Sequence, residues 1–178
     1  TVSDPDMFNL SNIEFDPPRG FITPGGAELV GGNTFRVGAA TFGDPVSASV
    51  ADLGTIRLQT TPSFSEATVR VVEVSVGPSF TERTVLKEDQ FDGVVSVIGT
   101  VVGDTGDDEV ITEEPEDGAS GYIHDVEVLP RSIFVDPGSW FEMEVRGVGL
   151  EEVKQIAIDI TVSDPDMFNL SNIEFDPP

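Results

Sequence analysis

The eighteen residues TVSDPDMFNLSNIEFDPP occur twice in this chain, at 1–18 and again at 161–178. Identity over eighteen positions is not produced by chance, and drift blurs an old duplication. Two explanations stay open. Either the chain was cut from an array of near-identical 160-residue repeats, 18 residues into the next repeat, or a second copy of an end segment was supplied on purpose. We therefore divide the chain into a first copy (1–18), a body (19–160) and a second copy (161–178).

Short β-branched stretches between turn residues predict an all-β fold. The chain has 18 glycines and 13 prolines, and runs such as TPGG and VDPG are typical of turns. Residues 140–148 and 155–162 alternate apolar and polar side chains with the period of two that marks a half-buried strand. Residues 93–102 are nearly all apolar, which predicts a central strand. We expect an antiparallel β-sandwich, immunoglobulin-like or jelly-roll, with about eight to ten strands.

The stretch at residues 67–76 also alternates and is expected to form a strand. Its period of two assigns side chains to two faces, one with Val69, Val71, Glu73 and Ser75 and the other with Thr68, Arg70, Val72, Val74 and Val76.

The charge of the chain excludes several classes of partner. There are 33 acidic residues against 9 basic ones, a net charge of −24. Such a charge repels nucleic acid and anionic membrane surfaces, and no apolar run approaches the ~20 residues that a membrane span needs. Abundant acid with only two lysines, Lys87 and Lys154, is typical of proteins from salt-loving microbes. An acidic extracellular protein that uses divalent cations is the alternative.

Few residues in the sequence could support catalysis or bind a metal. The single histidine, His124, is followed by Asp125, but no nucleophile motif accompanies them, so we expect no enzyme. The acidic stretch at 103–121 is predicted to be a solvated loop. Its carboxylates could bind calcium as hard oxygen ligands, although the spacing is not that of a calcium-binding loop. The candidate ligands are Asp104, Asp107, Asp108 and Glu109.

The repeated segment has one apolar side that needs a core to face. A sandwich that lacks one strand has an open edge, and an extended segment can pair with it. We expect the second copy to complete the sandwich of its own chain, while the first copy is left to dock on a neighbour. Burial of four such side chains is worth roughly 6–12 kcal/mol before entropy costs. The predicted apolar residues are Phe8, Leu10, Ile13, Phe15, Phe168, Leu170, Ile173 and Phe175, with a bulge or turn at Ser171–Asn172.

This arrangement is similar to donor-strand complementation in the surface pili of bacteria and archaea. In addition, residues 12–26 and 125–139 share a pattern of strand, proline, short apolar step and Pro-Gly turn, which resembles the leading strands of immunoglobulin-like and TIG-type surface domains. The resemblance implies a structural subunit of an extracellular, cell-surface filament whose partners are copies of itself, head to tail. One departure is that an engineered subunit meant to stay monomeric would omit the first copy.

Two other functions fit the same features. One is a repeat of a tandem-repeat cell-surface adhesin, acting as an extender or a ligand-binding module, with or without calcium. The other is a virion structural protein of a halophile virus.

Overall fold

A computed structural model describes residues 20–23, 27–100, 121–164, 168 and 174–176. The first copy of the 18-mer and residues 103–120 of the acidic stretch lie outside the described residues. The described residues contain no helix of the length and apolarity that crossing a membrane requires. Their strands are β1 (Glu28–Gly31), β2 (Thr34–Ala40), β3 (Val46–Gln59), β4 (Glu66–Gly77), β5 (Thr84–Lys87), β6 (Val94–Gly99), β7 (Asp125–Leu129), β8 (Ser132–Val135), β9 (Trp140–Val153), β10 (Gln155–Val162) and β11 (Glu174–Asp176).

The strands form two packed sheets, which confirms the predicted all-β sandwich. One sheet has the order β1-β2-β10-β4-β6-β8, with β5 also paired to β4, and the other has the order β11-β3-β9-β7. Among the strands that the structure describes, every pair is antiparallel except β6 with β8. The described residues form eleven strands, slightly more than expected, because edge strands of three or four residues are too short to show a period.

The alternating stretches form the core as predicted. Ile158 and Ile160 of β10 and Met143 and Val145 of β9 are completely buried between the sheets. The apolar stretch that begins at residue 93 forms β6, which lies between β4 and β8 and is therefore a central strand.

The predicted faces of β4 are wrong beyond Val71. Val69 and Val71 face the core, but Val74 and Val76 are also completely buried. The register of β4 on β10 skips Val72, which is a β-bulge. The extra residue reverses the alternation, so the second half of the strand presents its valines to the same core.

The chain passes almost directly from one sheet to the other between β9 and β10. Only Lys154 separates the two strands. Its N–H donates to the carbonyl of Gly77 (2.9 Å), and its carbonyl accepts a hydrogen bond from the N–H of Thr41 (2.8 Å). Residues 140–162 therefore tie the two sheets together along one nearly continuous run.

The start of the described chain and the end of β10 lie at opposite ends of the sandwich. Ile22 exchanges both backbone hydrogen bonds with Ala40 (2.8 and 2.9 Å), and Ala40 lies opposite Gln155, the first residue of β10. Val162, the last residue of β10, is seven residues further along, a distance of about 23 Å in a strand. We name these the Gly20 end and the Val162 end.

A carboxylate that is nearly buried joins β2 to β10 on the seven-stranded sheet. Asp159 is 7% exposed and accepts hydrogen bonds from Nε and Nη2 of Arg36, both at 2.6 Å. Glu73 lies 3.8 Å from the same guanidinium. The hydrogen bonding that Arg36 donates to Asp159 is the main reason why the pKa of Arg36 is raised.

We expect Asp159→Asn to lower the free energy of unfolding by about 2 kcal/mol, because a hydrogen-bonded charge pair with one buried member is broken. Urea denaturation at fixed salt measures the loss. The matched control is Glu88→Gln, which breaks the exposed Arg70–Glu88 pair (3.1 Å) and should cost less than about 1 kcal/mol. Equal losses in the two variants would contradict this role of Asp159.

Candidate assembly site

The second copy of the 18-mer contributes to both sheets. Its first two residues, Thr161 and Val162, are the end of β10 in the seven-stranded sheet. Its residues Glu174–Asp176 form β11 on the edge of β3 in the four-stranded sheet. The segment therefore crosses the sandwich at the Val162 end.

The junction between the body and the second copy lies inside a central strand. Val162 is completely buried, and the hydroxyls of Thr161 and Thr34 are 2.9 Å apart. The N–H of Ser163 donates to the carbonyl of Thr68 (2.9 Å), and the Ser163 hydroxyl accepts from the N–H of Thr68 (2.8 Å). The first three residues of the second copy are thus held by neighbouring strands.

Phe168 of the second copy is inserted into an aromatic pocket. It is 4% exposed, and its ring centroid lies 5.6 Å from that of Phe64 and 6.1 Å from that of Phe141. The rings are tilted by 54° and 52°, which is a favourable arrangement for aromatic pairs. The backbone of Phe168 forms an antiparallel bridge with Thr60. The pocket is built from the turn after β3 and from β9, and the second copy fills it.

A tight turn holds Thr60, whose backbone forms the β-bridge with Phe168. Ser139 N–H donates to the carbonyl of Asp136 (2.9 Å), with Pro137 and Gly138 between them, and Gly138 has φ of 81°. Proline followed by a glycine at positive φ is the signature of a type II turn. The hydroxyl of Thr60 lies 3.2 Å from the carbonyl oxygens of both Asp136 and Ser139, so this turn holds Thr60 beside the pocket.

Gly99 of β6 packs against the turn that carries Phe64. Its N–H donates to the carbonyl of Ser65 (2.6 Å). A Cβ on Gly99 would lie 2.7 Å from that carbonyl oxygen and 3.3 Å from Cδ1 of Phe64. Only glycine allows β6 to approach the turn closely enough to keep Phe64 in place.

The end of the second copy pairs with β3. β11 runs antiparallel to β3 from Arg57 to Thr55, with Phe175 opposite Ile56. The side chain of Ile56 is completely buried. This pairing supplies backbone partners to an edge of β3 that faces away from β9.

The pairing register between the second copy and β3 changes between Phe168 and Glu174. Phe168 lies opposite Thr60 and Glu174 lies opposite Arg57, so six steps along the second copy match three along β3. The bulge or turn predicted at Ser171–Asn172 falls between these points, outside the described residues.

The structure describes two of the eight predicted apolar residues: Phe168 in the pocket and the backbone of Phe175 in β11. The other six lie outside the described residues and stay predictions: Phe8, Leu10, Ile13, Phe15, Leu170 and Ile173. The pocket itself was not predicted. Phe141 belongs to the alternating stretch at residues 140–148, whose apolar side is expected to be buried, but no signal in the sequence marks Phe64 as its partner.

The predicted calcium ligands, Asp104, Asp107, Asp108 and Glu109, also lie outside the described residues. Within the part of the chain that the structure describes, no group of three or more His, Cys, Asp or Glu side chains could hold a metal ion.

The edge of β3 beyond β11 differs from the rest of this acidic chain. β3 pairs with β9 from Val46 to Gln59, but on its other edge the described residues pair only at 55–57 and at Thr60. Residues 46–51, VSASVA, carry no charge, and Val50 is 54% exposed. Edge strands are normally protected by charges, so this uncharged edge is suited to a contact.

A carboxyl group with a raised pKa follows the uncharged stretch. Asp52 Oδ1 is buried and has no hydrogen-bond partner among the described residues. Burial, with the nearby charge of Glu144, raises the pKa of Asp52 to about 6. Arg146 donates two hydrogen bonds to Glu144 (2.9 and 2.8 Å) and lowers the pKa of that carboxyl. Protonation of Asp52 near pH 6 therefore removes negative charge beside this edge.

No protein-family model, no curated protein and no solved structure matches this chain.

We expect Phe168→Ala to lower the free energy of unfolding by about 3–5 kcal/mol, because it empties the aromatic pocket. The matched control is Phe8→Ala, the same substitution in the first copy, which should leave the stability of the dilute chain unchanged. Urea denaturation of both variants measures the difference. If the two substitutions cost the same, the two copies play equivalent parts in the fold and the asymmetry is wrong.

Proposed function

We propose that this protein is a structural subunit of an extracellular, cell-surface filament in which the 18-residue segment of one unit completes the sandwich of another. One observation carries the proposal: the second copy takes the position beside β3, with Phe168 in the pocket and β11 on the strand edge. An identical first copy cannot occupy that position in the same molecule. It matches the same position in a neighbour, where Phe8 corresponds to Phe168.

We call the edge of β3 from Thr60 to Thr55, together with the pocket of Phe64 and Phe141, the slot. The positions of the segment and the slot favour an open chain of units. The body begins at the Gly20 end, whereas the slot runs along the edge of β3 from Thr60 to Thr55. A contact between two different surfaces repeats head to tail, and such contacts give filaments unless the rotation closes a ring.

The bonds made by the segment suit it to carry tension. It is held by backbone hydrogen bonds to β2 and β4 through the end of β10 and by pairing with β3 through β11. A force on the segment is therefore shared by both sheets. The buried ring of Phe168 lies between the two attachments and has to leave the pocket before the segment can slide.

Charge sets the conditions for assembly. Each 160-residue period has 29 acids against 9 bases, a net charge of −20, so neighbouring units repel one another. Salt shortens the range of this repulsion to about 3 Å at 1 M ionic strength. The proposed filament is accordingly one that forms in concentrated salt.

A covalent tandem array is the second candidate, and the continuity of β10 favours it. The strand runs without a break from Ile160 into Thr161 and Val162, so a docked segment must begin directly after residue 160. Covalent linkage of consecutive repeats supplies that continuity and gives the segment a high effective concentration. The sequence of the complete gene distinguishes the two: one period indicates a filament of separate subunits, and many periods indicate an array.

The filament proposal predicts opposite behaviour for two deletions. Residues 1–160 alone should polymerise, because the slot is vacant and the first copy can fill a neighbour's slot. Residues 19–178 should stay monomeric, because the slot is filled and no second segment remains. Sedimentation velocity and negative-stain electron microscopy in 1–3 M salt, about the range that screens such charges, measure the outcome.

The free 18-residue peptide is the control, since it should cap the slots of the 1–160 chain and shorten its polymers. A 19–178 chain that forms the same fibres, or a folded 1–160 chain that stays monomeric, would falsify the filament proposal.

A further inference from the structure

Three large apolar side chains are exposed at the Gly20 end. Ile22 is 54% exposed, Phe42 is 91% exposed and Phe80 is 69% exposed. Phe42 lies in the turn between β2 and β3, and Phe80 lies in the turn between β4 and β5. Exposed apolar side chains in a cluster, unlike single ones, mark a contact surface.

Hydrogen bonds bring these elements together around the start of β10. Ile22 is bonded to Ala40, two residues before Phe42. The side chain of Gln155 donates to the carbonyl of Ser79, the residue before Phe80. Ala40 lies opposite Gln155 in the sheet, so all three elements adjoin one strand end. We call Ile22, Phe42 and Phe80 the apolar tip.

The length of the connection places the apolar tip of one unit close to β3 of the unit before it. Asp176 lies opposite Thr55, and Asp16 is the same position in the first copy. Only Pro17, Pro18 and Arg19 separate Asp16 from Gly20, and four residue steps span at most about 14 Å. When the first copy of one unit is docked on the unit before it, the Gly20 end of the donating unit therefore lies beside the middle of β3 of the accepting unit.

Beyond Thr55, β3 continues towards the uncharged stretch at residues 46–51. Val50 is five residues from Thr55 on β3, about 17 Å along the strand. β11 runs from Arg57 towards Thr55, and the same direction leads on to Val50. Two bodies that each carry a large negative charge approach each other most easily at a strand segment that carries no charge of its own.

We propose that the apolar tip of each unit packs against the uncharged β3 edge, around Val50, of the unit whose slot it fills. The inference rests on the proposed function, because the docked segment sets the position of the next body. With this contact, successive bodies are held at a fixed angle. Without it, only the short connection at residues 17–19 joins them.

A chain of two full units tests the contact, with residues 1–160 followed by the complete 178-residue sequence. The protein has no cysteine, so introduced pairs report single contacts. Val50→Cys in the first unit is combined with Phe42→Cys in the second. The matched control combines Val50→Cys with Phe134→Cys in the second unit, since Phe134 is 48% exposed and lies on β8, away from the Gly20 end.

We expect the Val50–Phe42 pair to form a disulfide about tenfold faster than the control pair under mild oxidation, because contact raises its effective concentration. The experiment is also done with Phe80→Cys in place of Phe42→Cys, so that the result does not depend on one variant that folds poorly. Equal rates for the tip pairs and the control pair would overturn the inference.

A docking pair separates this inference from the proposed function. Thr55→Cys in the first unit and Asp16→Cys in the second report whether the segment is on β3, since their counterparts lie opposite each other. A docking disulfide without a tip disulfide rejects the apolar contact alone. Loss of the docking disulfide rejects both the contact and the docking of the segment.

Discussion

The structure depends on the edge of β3 that faces away from β9. Along its other edge, β3 is paired with β9 throughout, but at the Val162 end its free edge meets the second copy. There Thr60 bridges Phe168, and residues 55–57 pair with β11. Removal of the segment would expose backbone groups of a strand whose side chains, such as Ile56, are in the core. The pairing of the segment with β3 thus completes the fold and, in the proposed filament, also joins the units.

The segment is also a tie between the two sheets. At the Gly20 end, the chain crosses between sheets through Lys154. At the Val162 end, the second copy crosses from the end of β10 to the edge of β3. The connections from β3 to β4 and from β8 to β9 also cross between the sheets at this end, so the repeated segment adds to crossings that the body makes itself.

Much of the fold followed from the period of the sequence, because a strand with one buried face needs alternating side chains. Residues 140–148 and 155–162 have that pattern and form β9 and β10. The pattern failed at Val72, where a bulge with no local signal reverses the faces of β4. The repeat pointed to the second copy as the completing segment. The pocket of Phe64 and Phe141 could not be predicted, because it joins residues that are far apart in sequence.

Limited proteolysis of the dilute 178-residue chain by chymotrypsin distinguishes a docked copy of the segment from an undocked one. The two copies have the same sequence, so the protease meets identical sites after Phe8 and Phe168, and any difference in rate reports structure. Intact mass separates the products, since one cleavage removes residues 1–8 and the other removes 169–178. We expect loss of the N-terminal fragment at least about tenfold faster than loss of the C-terminal one, because docked segments are cut only when they open. Equal rates at both ends, or protection of both, would contradict this expectation.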